Sequence, residues 1–321
     1  MELKTRLTEK LGIEHPILLA PMGVMAGGRL AAAVTNAGGL GIIGAGYGDA
    51  EWIDRQFAAA NGARVGCGFI TWSMARDPSL LEQVLAKRPA ALMLSFGALE
   101  PHASIIKAQG VPLICQVQGM KYLREAVDAG ADIIVAEGCE AGGHSGLRGV
   151  FTLVPEAADY LAKHSPDTVL VAAGGVGDGR GLAAALMLGA DGVLVGTRFI
   201  AALESEAPEG LRQAIIRADG DSTVKSNSVD VARKRHWPNA EFVVRVLKNG
   251  FVAKWHGRER ELEKSIDVEF ERFWDAFRAG DAENSGVLMG EVSGIIQDAP
   301  PAAEIIRRMV AQACQLLGRN E

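Results

Sequence analysis

Several features that would assign the chain to a common class are missing from its 321 residues. Positive charge is not in excess: the formal net charge is −6, which argues against a nucleic-acid-binding protein. No apolar run reaches the roughly 18–20 residues needed to cross a bilayer, and the first residues lack the apolar stretch of a signal peptide. We therefore expect neither nucleic acid nor a membrane as a partner.

Cysteine is scarce, and its pattern excludes the usual metal sites. The four cysteines are scattered along the chain, at Cys67, Cys115, Cys139 and Cys314. No C-x-x-C pair and no H-E-x-x-H motif occurs, so the sequence predicts no metal site. Buried, inert thiols in a reducing compartment are the simplest interpretation, which predicts a cytoplasmic protein.

A strand–helix repeat fills the N-terminal two thirds of the chain. Short, largely apolar runs flanked by glycine or proline are typical of parallel strands covered by helices. Eight such runs occur, at Ile17–Ala20, Gly41–Gly44, Arg64–Phe69, Ala91–Ser95, Pro112–Gln116, Ile133–Ala136, Val169–Ala172 and Gly192–Val195. Eight strands with short connections favour a single (β/α)8 TIM barrel, and a doubly wound open α/β sheet is the alternative.

The composition changes after Phe199. From about residue 204 to 284 the chain is more polar, contains three tryptophans and does not continue the repeat. We predict a barrel over 1–203, an inserted and mainly helical lid or substrate subdomain over 204–284, and a return to the barrel with a C-terminal helix over 285–321. We interpret the basic run Arg233–Arg235 as a solvated face that could also steer an anionic substrate.

Two glycine-rich loops indicate a phosphate site. In a TIM barrel, function gathers on the loops that follow the strands, and the loops after the seventh and eighth strands usually bind phosphate. Here these loops are Ala173–Gly181 and Val195–Arg198, whose small residues expose backbone N–H groups. Gly39–Gly44 also matches the dinucleotide-binding fingerprint, but its apolar half is itself a predicted strand, so we reject it.

The remaining candidate loops would surround the flat ring of a bound ligand. His144 stands among glycines in Glu137–Gly146, where a close approach to a ligand is easy, and its ordinary pKa of about 6.5 suits proton transfer. Met22 in Ala20–Gly23 offers a polarizable contact, and Gln116 at the end of the fifth strand could hydrogen-bond a ring edge. A plain structural role is equally open for the last two loops.

In combination, these loops resemble the nitronate monooxygenase family, formerly called 2-nitropropane dioxygenases. The residues that carry the resemblance occur in the same order along the chain, at Ala20–Met22, Leu30–Gly41, Glu140–Gly146, Ala172–Val176 and Gly196–Phe199. The same signature is shared by flavin-dependent enoyl-acyl-carrier-protein reductases and NADH:quinone reductases. Leu19 stands where many relatives carry glutamine, so the resemblance specifies the flavin better than the substrate.

The resemblance implies an FMN-binding barrel whose active site is roofed by the inserted segment. His144 would be the catalytic histidine. The phosphate of FMN would be held by Gly174, Gly175, Gly196 and Thr197. The flavin ring and ribityl chain would be flanked by Pro21, Met22, Gly23, Gln116, Gly142 and Gly143.

The expected activity is oxidation of alkyl nitronates or nitroalkanes by FMN with O2, with His144 as general base and hydrogen-bond partner. One alternative is an NAD(P)H-dependent flavin reductase of enoyl thioesters or quinones. Two others are a flavin-free barrel lyase or isomerase acting on a phosphorylated metabolite, and a non-catalytic flavin carrier. A homodimer is a further expectation.

Overall fold

The computed structural model describes residues 3–318. Its strands are β1 Ile17–Leu19, β2 Ile42–Gly44, β3 Gly66–Ile70, β4 Leu92–Ser95, β5 Leu113–Val117, β6 Ile133–Glu137, β7 Gly143–Ser145, β8 Val169–Ala173, β9 Gly192–Val195, β10 Thr223–Lys225 and β11 Val243–Leu247. The eight predicted strands correspond to β1–β6, β8 and β9.

Helices alternate with these strands and then dominate the C-terminal third. They are α1 Arg6–Leu11, α2 Gly28–Asn36, α3 Ala50–Ala59, α4 Thr71–Met74, α5 Ser79–Ala86, α6 His102–Ala108, α7 Met120–Asp128, α8 Val150–His164, α9 Gly179–Met187, α10 Thr197–Ile200, α11 Glu209–Arg217, α12 Ser228–Ala232, α13 Gly250–Trp255, α14 Glu259–Lys264, α15 Ile266–Ala279 and α16 Ala302–Leu316. Short 3-10 turns cover Gly220–Ser222 and Glu291–Ile295.

The eight predicted strands form one parallel sheet that closes into a TIM barrel. Their order is β1-β9-β8-β6-β5-β4-β3-β2, and a parallel bridge between Leu18 and Leu40 joins the two ends. The predicted barrel is therefore confirmed. The segment Gly39–Gly44, which we rejected as a dinucleotide-binding motif, also has the expected structure. Its last three residues form β2, and no helix begins within it.

Alternation along the strands divides the core into two layers. Leu18, Ile114 and Val171 point into the barrel, whereas their neighbours on the same strands pack against the surrounding helices. Leu7 and Leu11 of α1 join the interior layer. Since α1 precedes β1, it closes the N-terminal end of the barrel and leaves the C-terminal end for the loops.

A second, three-stranded antiparallel sheet has the order β10-β11-β7. Two of its strands come from the segment 204–284 and the third follows β6, with Val244 paired to His144. The segment also contains α11–α15, so it is mainly helical, but we did not predict its strands. The last helix, α16, packs against α9 and α2, which is the place of the final barrel helix.

Candidate active site

The loops at the C-terminal ends of the barrel strands surround a cavity of about 430 Å³. Every site residue predicted from the sequence lies on its wall: Pro21, Met22, Gly23, Gln116, Gly142, Gly143, His144, Gly174, Gly175, Gly196 and Thr197. The inserted segment covers the cavity with aromatic and basic side chains, including Trp237, Trp274 and Arg233. The structure therefore brings the predicted residues together, while their roles toward a ligand stay predictions.

One end of the cavity presents unpaired backbone amides. Within residues 3–318, the N–H groups of Gly174, Gly175, Gly196 and Thr197 have no hydrogen-bond acceptor. Gly174 and Gly175 have φ angles of 100° and 72°, which side chains other than glycine rarely adopt. Backbone amides on a cavity wall that lack protein acceptors suit a phosphate group. The residues present therefore fit the phosphate end of FMN.

Gly142 is required for packing within the protein. A Cβ atom on Gly142 would lie 2.6 Å from the nitrogen of Gly290, which belongs to the returning segment. Gly290 in turn donates its N–H to the Thr197 hydroxyl at 2.9 Å. These contacts connect the loop after β6 to the loop after β9 through Gly290, so the loop that carries His144 and the loop that carries the amides of Gly196 and Thr197 are held in one arrangement.

His144 forms a hydrogen-bonded chain with two residues of the inserted segment. Its Nε2 lies 2.7 Å from Oδ2 of Asp230, and Oδ1 of Asp230 accepts a hydrogen bond from Arg233 at 2.6 Å. Both His144 and Asp230 are buried. Within the described residues, Nδ1 of His144 has no hydrogen-bond partner. The imidazole can therefore donate from Nε2 to the carboxylate and accept a proton at Nδ1.

Burial and the carboxylate of Asp230 shift the pKa of His144 in opposite directions. Burial lowers the pKa of His144, and the hydrogen bond and charge of Asp230 partly offset this. Burial raises the pKa of Asp230, but the hydrogen bond from His144 and the charge of Arg233 outweigh it, so this pKa is lowered overall. The pair is thus a neutral imidazole beside an ionised carboxylate, an arrangement that suits a general base.

Aromatic rings fix the orientation of the imidazole. Trp237 stacks on His144 with ring centroids 3.5 Å apart and an interplanar angle of 18°. Phe96 is in edge contact with the imidazole, with ring centroids 6.2 Å apart. The indole Nε1 of Trp237 donates to the Tyr47 hydroxyl at 3.1 Å, which fixes the indole in turn. The site therefore has an aromatic wall beside the candidate base.

A second buried carboxyl group lies on the cavity wall at the end of β6. Oε2 of Glu137 accepts hydrogen bonds from Gln116 and Gln118, both at 2.9 Å. Burial raises the pKa of Glu137 to about 8, although Gln118 and the charge of Lys225 oppose the shift. Glu137 is thus largely protonated at neutral pH. Because the side-chain amide of Gln116 donates a hydrogen bond to this carboxyl group, the side-chain carbonyl oxygen of Gln116 is left for a ligand.

Sequence reasoning missed Asp230, Arg233 and Trp237. Asp230 is 86 positions from His144 along the chain. The antiparallel pairing of β11 with β7 brings the segment that contains Asp230 to the strand that contains His144. The interpretation of Arg233–Arg235 as a solvated face was wrong for Arg233, which is paired with Asp230 in the interior. A clue was available in Asp230, an acidic residue placed among the apolar residues of α12.

The whole chain is similar to proteins of one family. A sequence profile of the family described as nitronate monooxygenase matches residues 4–65 and 71–312.

In the described part of the chain, 3–318, no helix has both the length and the apolar character needed to cross a membrane.

Three similar proteins carry different names. A (3aS,4S,5R,7aS)-5-hydroxy-7a-methyl-1-oxo-octahydro-1H-indene-4-carboxyl-CoA dehydrogenase of Rhodococcus jostii is 32% identical, with 97% of this chain and 96% of that protein covered. A nitronate monooxygenase of Neurospora crassa is 31% identical, with 94% and 89% covered. The solved structure of FabK from Thermotoga maritima has a TM-score of 0.84 and 29% identity, with 99% and 98% covered.

Proposed function

This chain belongs to the nitronate monooxygenase family, and we propose that it oxidises alkyl nitronates and nitroalkanes with FMN and molecular oxygen. Family membership makes it an enzyme, a flavin-dependent oxidoreductase, so the alternatives of a flavin-free lyase and a non-catalytic carrier no longer stand. The choice of FMN, the substrate and the role of His144 are the proposal.

The observation that carries the proposal is the placement of His144 between the cavity and Asp230. A neutral nitroalkane must lose a proton from its α-carbon, and Nδ1 of His144 would take it while Asp230 stabilises the resulting imidazolium. A nitronate arrives already deprotonated, and its negative charge would favour the protonated form of His144. The imidazolium would then hold the nitronate oxygens by a charge-assisted hydrogen bond. One imidazole thus serves both forms of the substrate.

The other predicted residues would hold the cofactor. The free amides at residues 174, 175, 196 and 197 would bind the FMN phosphate, and Pro21, Met22, Gly23, Gln116, Gly142 and Gly143 would flank the ring and ribityl chain. When bound, FMN supplies the electron chemistry, while the protein supplies placement and a dry pocket. The segment 204–284 would act as the lid that contributes Asp230 and the aromatic wall.

A negative charge at position 196 should weaken the binding of FMN. A Cβ atom on Gly196 would meet only ordinary contacts, with Met22 Sδ at 3.5 Å and Ala20 Cβ at 3.6 Å. Gly196→Asp would place a carboxylate beside the phosphate, and we expect FMN affinity to fall by about tenfold or more relative to Gly196→Asn, which has the same size without the charge. Flavin fluorescence during equilibrium dialysis measures both variants. Equal affinities would contradict the assignment of this loop to the phosphate.

A second candidate activity is oxidation or reduction of an acyl thioester. It is favoured by the carboxyl-CoA dehydrogenase of R. jostii and by the FabK structure, each covered over nearly its whole length. The chemistry at His144 would be related, because the α-carbon of a thioester is also a carbon acid. This candidate differs from the first in its use of a nicotinamide dinucleotide or a coenzyme A ester.

Anaerobic titration of the flavin-loaded protein distinguishes the two activities. We expect a nitroalkane or its nitronate to bleach the visible flavin absorbance rapidly and NADH to bleach it slowly, followed by recovery of the absorbance on admission of oxygen. Rapid bleaching by NADH with no response to nitronate would contradict nitronate oxidation and favour the thioester candidate.

A further inference from the structure

The indole of Trp237 covers one face of the His144 imidazole. The two rings are stacked, with centroids 3.5 Å apart and an interplanar angle of 18°. Trp237 lies between α12 and β11, in a part of the inserted segment that forms neither a helix nor a strand. Since no regular backbone structure orients this side chain, its stacking on the imidazole has to come from the contacts around the indole.

Three aromatic rings from the loops after β2, β3 and β4 hold the indole in this orientation. Trp72 and Phe96 are in edge contact with it, with centroids 5.5 and 5.0 Å away, and the Tyr47 hydroxyl accepts a hydrogen bond from its Nε1 at 3.1 Å. Phe96 has a φ angle of 59°, in the left-handed region that bulky residues rarely adopt, so the surrounding structure imposes its position. The barrel loops thus build the stack of Trp237 on His144.

The face of an indole ring attracts positive charge. Its π-system places negative charge over the ring faces, and a cation over tryptophan is stabilised more than one over tyrosine or phenylalanine. A neutral imidazole on the same face gains much less. The stack therefore favours the protonated form of His144 over the neutral form, and the effect is strengthened because His144 is buried.

Trp237 and Asp230 act on different parts of the imidazole. Asp230 is bonded to Nε2 at the edge of the ring, whereas Trp237 lies over its face. Burial lowers the pKa of His144 most, Asp230 raises it, and the charge of Arg233 lowers it. Phe96, the other ring in contact with the imidazole, is uncharged. The indole face thus stabilises the imidazolium independently of the carboxylate.

We propose that Trp237 is a positioning residue that stabilises the imidazolium form of His144 through the face of its indole. In the oxidation of a nitroalkane, which rests on the proposed function, this is the form that exists after His144 has taken the α-proton. Because Nε2 is bonded to Asp230 and Trp237 covers one face of the ring, the proton is taken at Nδ1. The stabilisation itself is a property of the side chains and needs no substrate.

An NMR titration of His144 in the flavin-loaded protein tests the proposal. Long-range 1H–15N correlation spectra follow the ring nitrogens as the pH changes, and the variant His144→Ala identifies the signals of His144. We expect Trp237→Leu to raise the proton dissociation constant of His144 by about threefold or more, because leucine has no π-system. The midpoint of the titration then moves to lower pH.

A purely structural role of Trp237 predicts the opposite direction. If the indole served only to bury the imidazole, Trp237→Leu would admit water, and the midpoint would move to higher pH because burial lowers the pKa of His144. A midpoint that moves to higher pH, or that does not move, overturns the proposal.

A tetrafluorinated tryptophan at position 237 gives a second variant that preserves the shape of the site. Fluorine withdraws negative charge from the ring face, while the size of the ring and the burial of His144 stay nearly the same. We expect the midpoint of the His144 titration to move to lower pH in this variant too. An unchanged midpoint would show that the charge of the indole face does not act on the imidazole.

Tyr160→Leu is the matched control. Tyr160 of α8 stacks on a different histidine, His164, with ring centroids 4.3 Å apart. Its replacement should leave the titration of His144 as it is in the parent protein. Because the titration needs no substrate, a failure of nitronate oxidation would leave this result intact.

Discussion

Replacing His144 by alanine is expected to lower kcat/KM for a neutral nitroalkane by about 10²–10⁴-fold. The variant loses the only group in our mechanism that takes the α-proton, and the nearby Glu137 is largely protonated at neutral pH and cannot replace it. The nitronate form needs no proton removal, so its kcat/KM should fall less. Steady-state oxygen consumption with both forms of one substrate measures the difference.

Flavin content separates a chemical role from a structural one. His144→Ala should retain its flavin, because none of the free amides at residues 174, 175, 196 and 197 belongs to His144. His256→Ala, which alters an exposed histidine on the inserted segment, is the control and should behave as the parent. Unchanged kcat/KM for the neutral nitroalkane in His144→Ala would remove the imidazole from the mechanism.

Replacing Asp230 by asparagine is expected to damage both stability and activity. It leaves the guanidinium of Arg233 without its carboxylate in the interior, and an orphaned buried charge of this kind costs about 3–5 kcal/mol of unfolding free energy. It also removes the group that raises the pKa of His144. The base should then be weaker, so kcat/KM falls while the acidic limb of its pH profile moves to lower pH.

The double variant Asp230→Asn/Arg233→Gln separates these effects. It removes the orphaned cation, so the melting temperature should recover while kcat/KM stays low. Denaturant unfolding and a pH–rate profile of both variants provide the measurements. If Asp230→Asn has the stability and the pH profile of the parent, Asp230 neither compensates Arg233 nor tunes His144.

The barrel was predictable because its signals are local. Each strand is a short apolar run ended by glycine or proline, and the eight predicted runs differ from the observed strands by at most two residues at either end. Residues on strand ends were placed correctly for the same reason: the C-terminal ends of parallel barrel strands meet at one face. This rule alone was enough to predict that His144, Gly174 and Gly196 lie at the same cavity.

The residues that contact the imidazole of His144 could not be predicted in this way. Asp230, Arg233 and Trp237 lie in the inserted segment, which lacks a repeat, and the strand β11 that brings this segment to β7 is only five residues long. Its pairing partner, β7, is a three-residue strand in a glycine-rich loop without a strong strand pattern. Long-range pairing of two such weak segments depends on tertiary packing rather than on local propensity.

The antiparallel pairing of β7 with β11 has a consequence for protein engineering. Val244 and its neighbours in β11 hold the backbone of His144, so the base is not a property of the barrel alone. A grafted or shortened cover that lacked this strand would remove the backbone partner of His144 along with Asp230. Chimeras between relatives should therefore exchange residues 143–145 and 223–247 together, as one transferable unit.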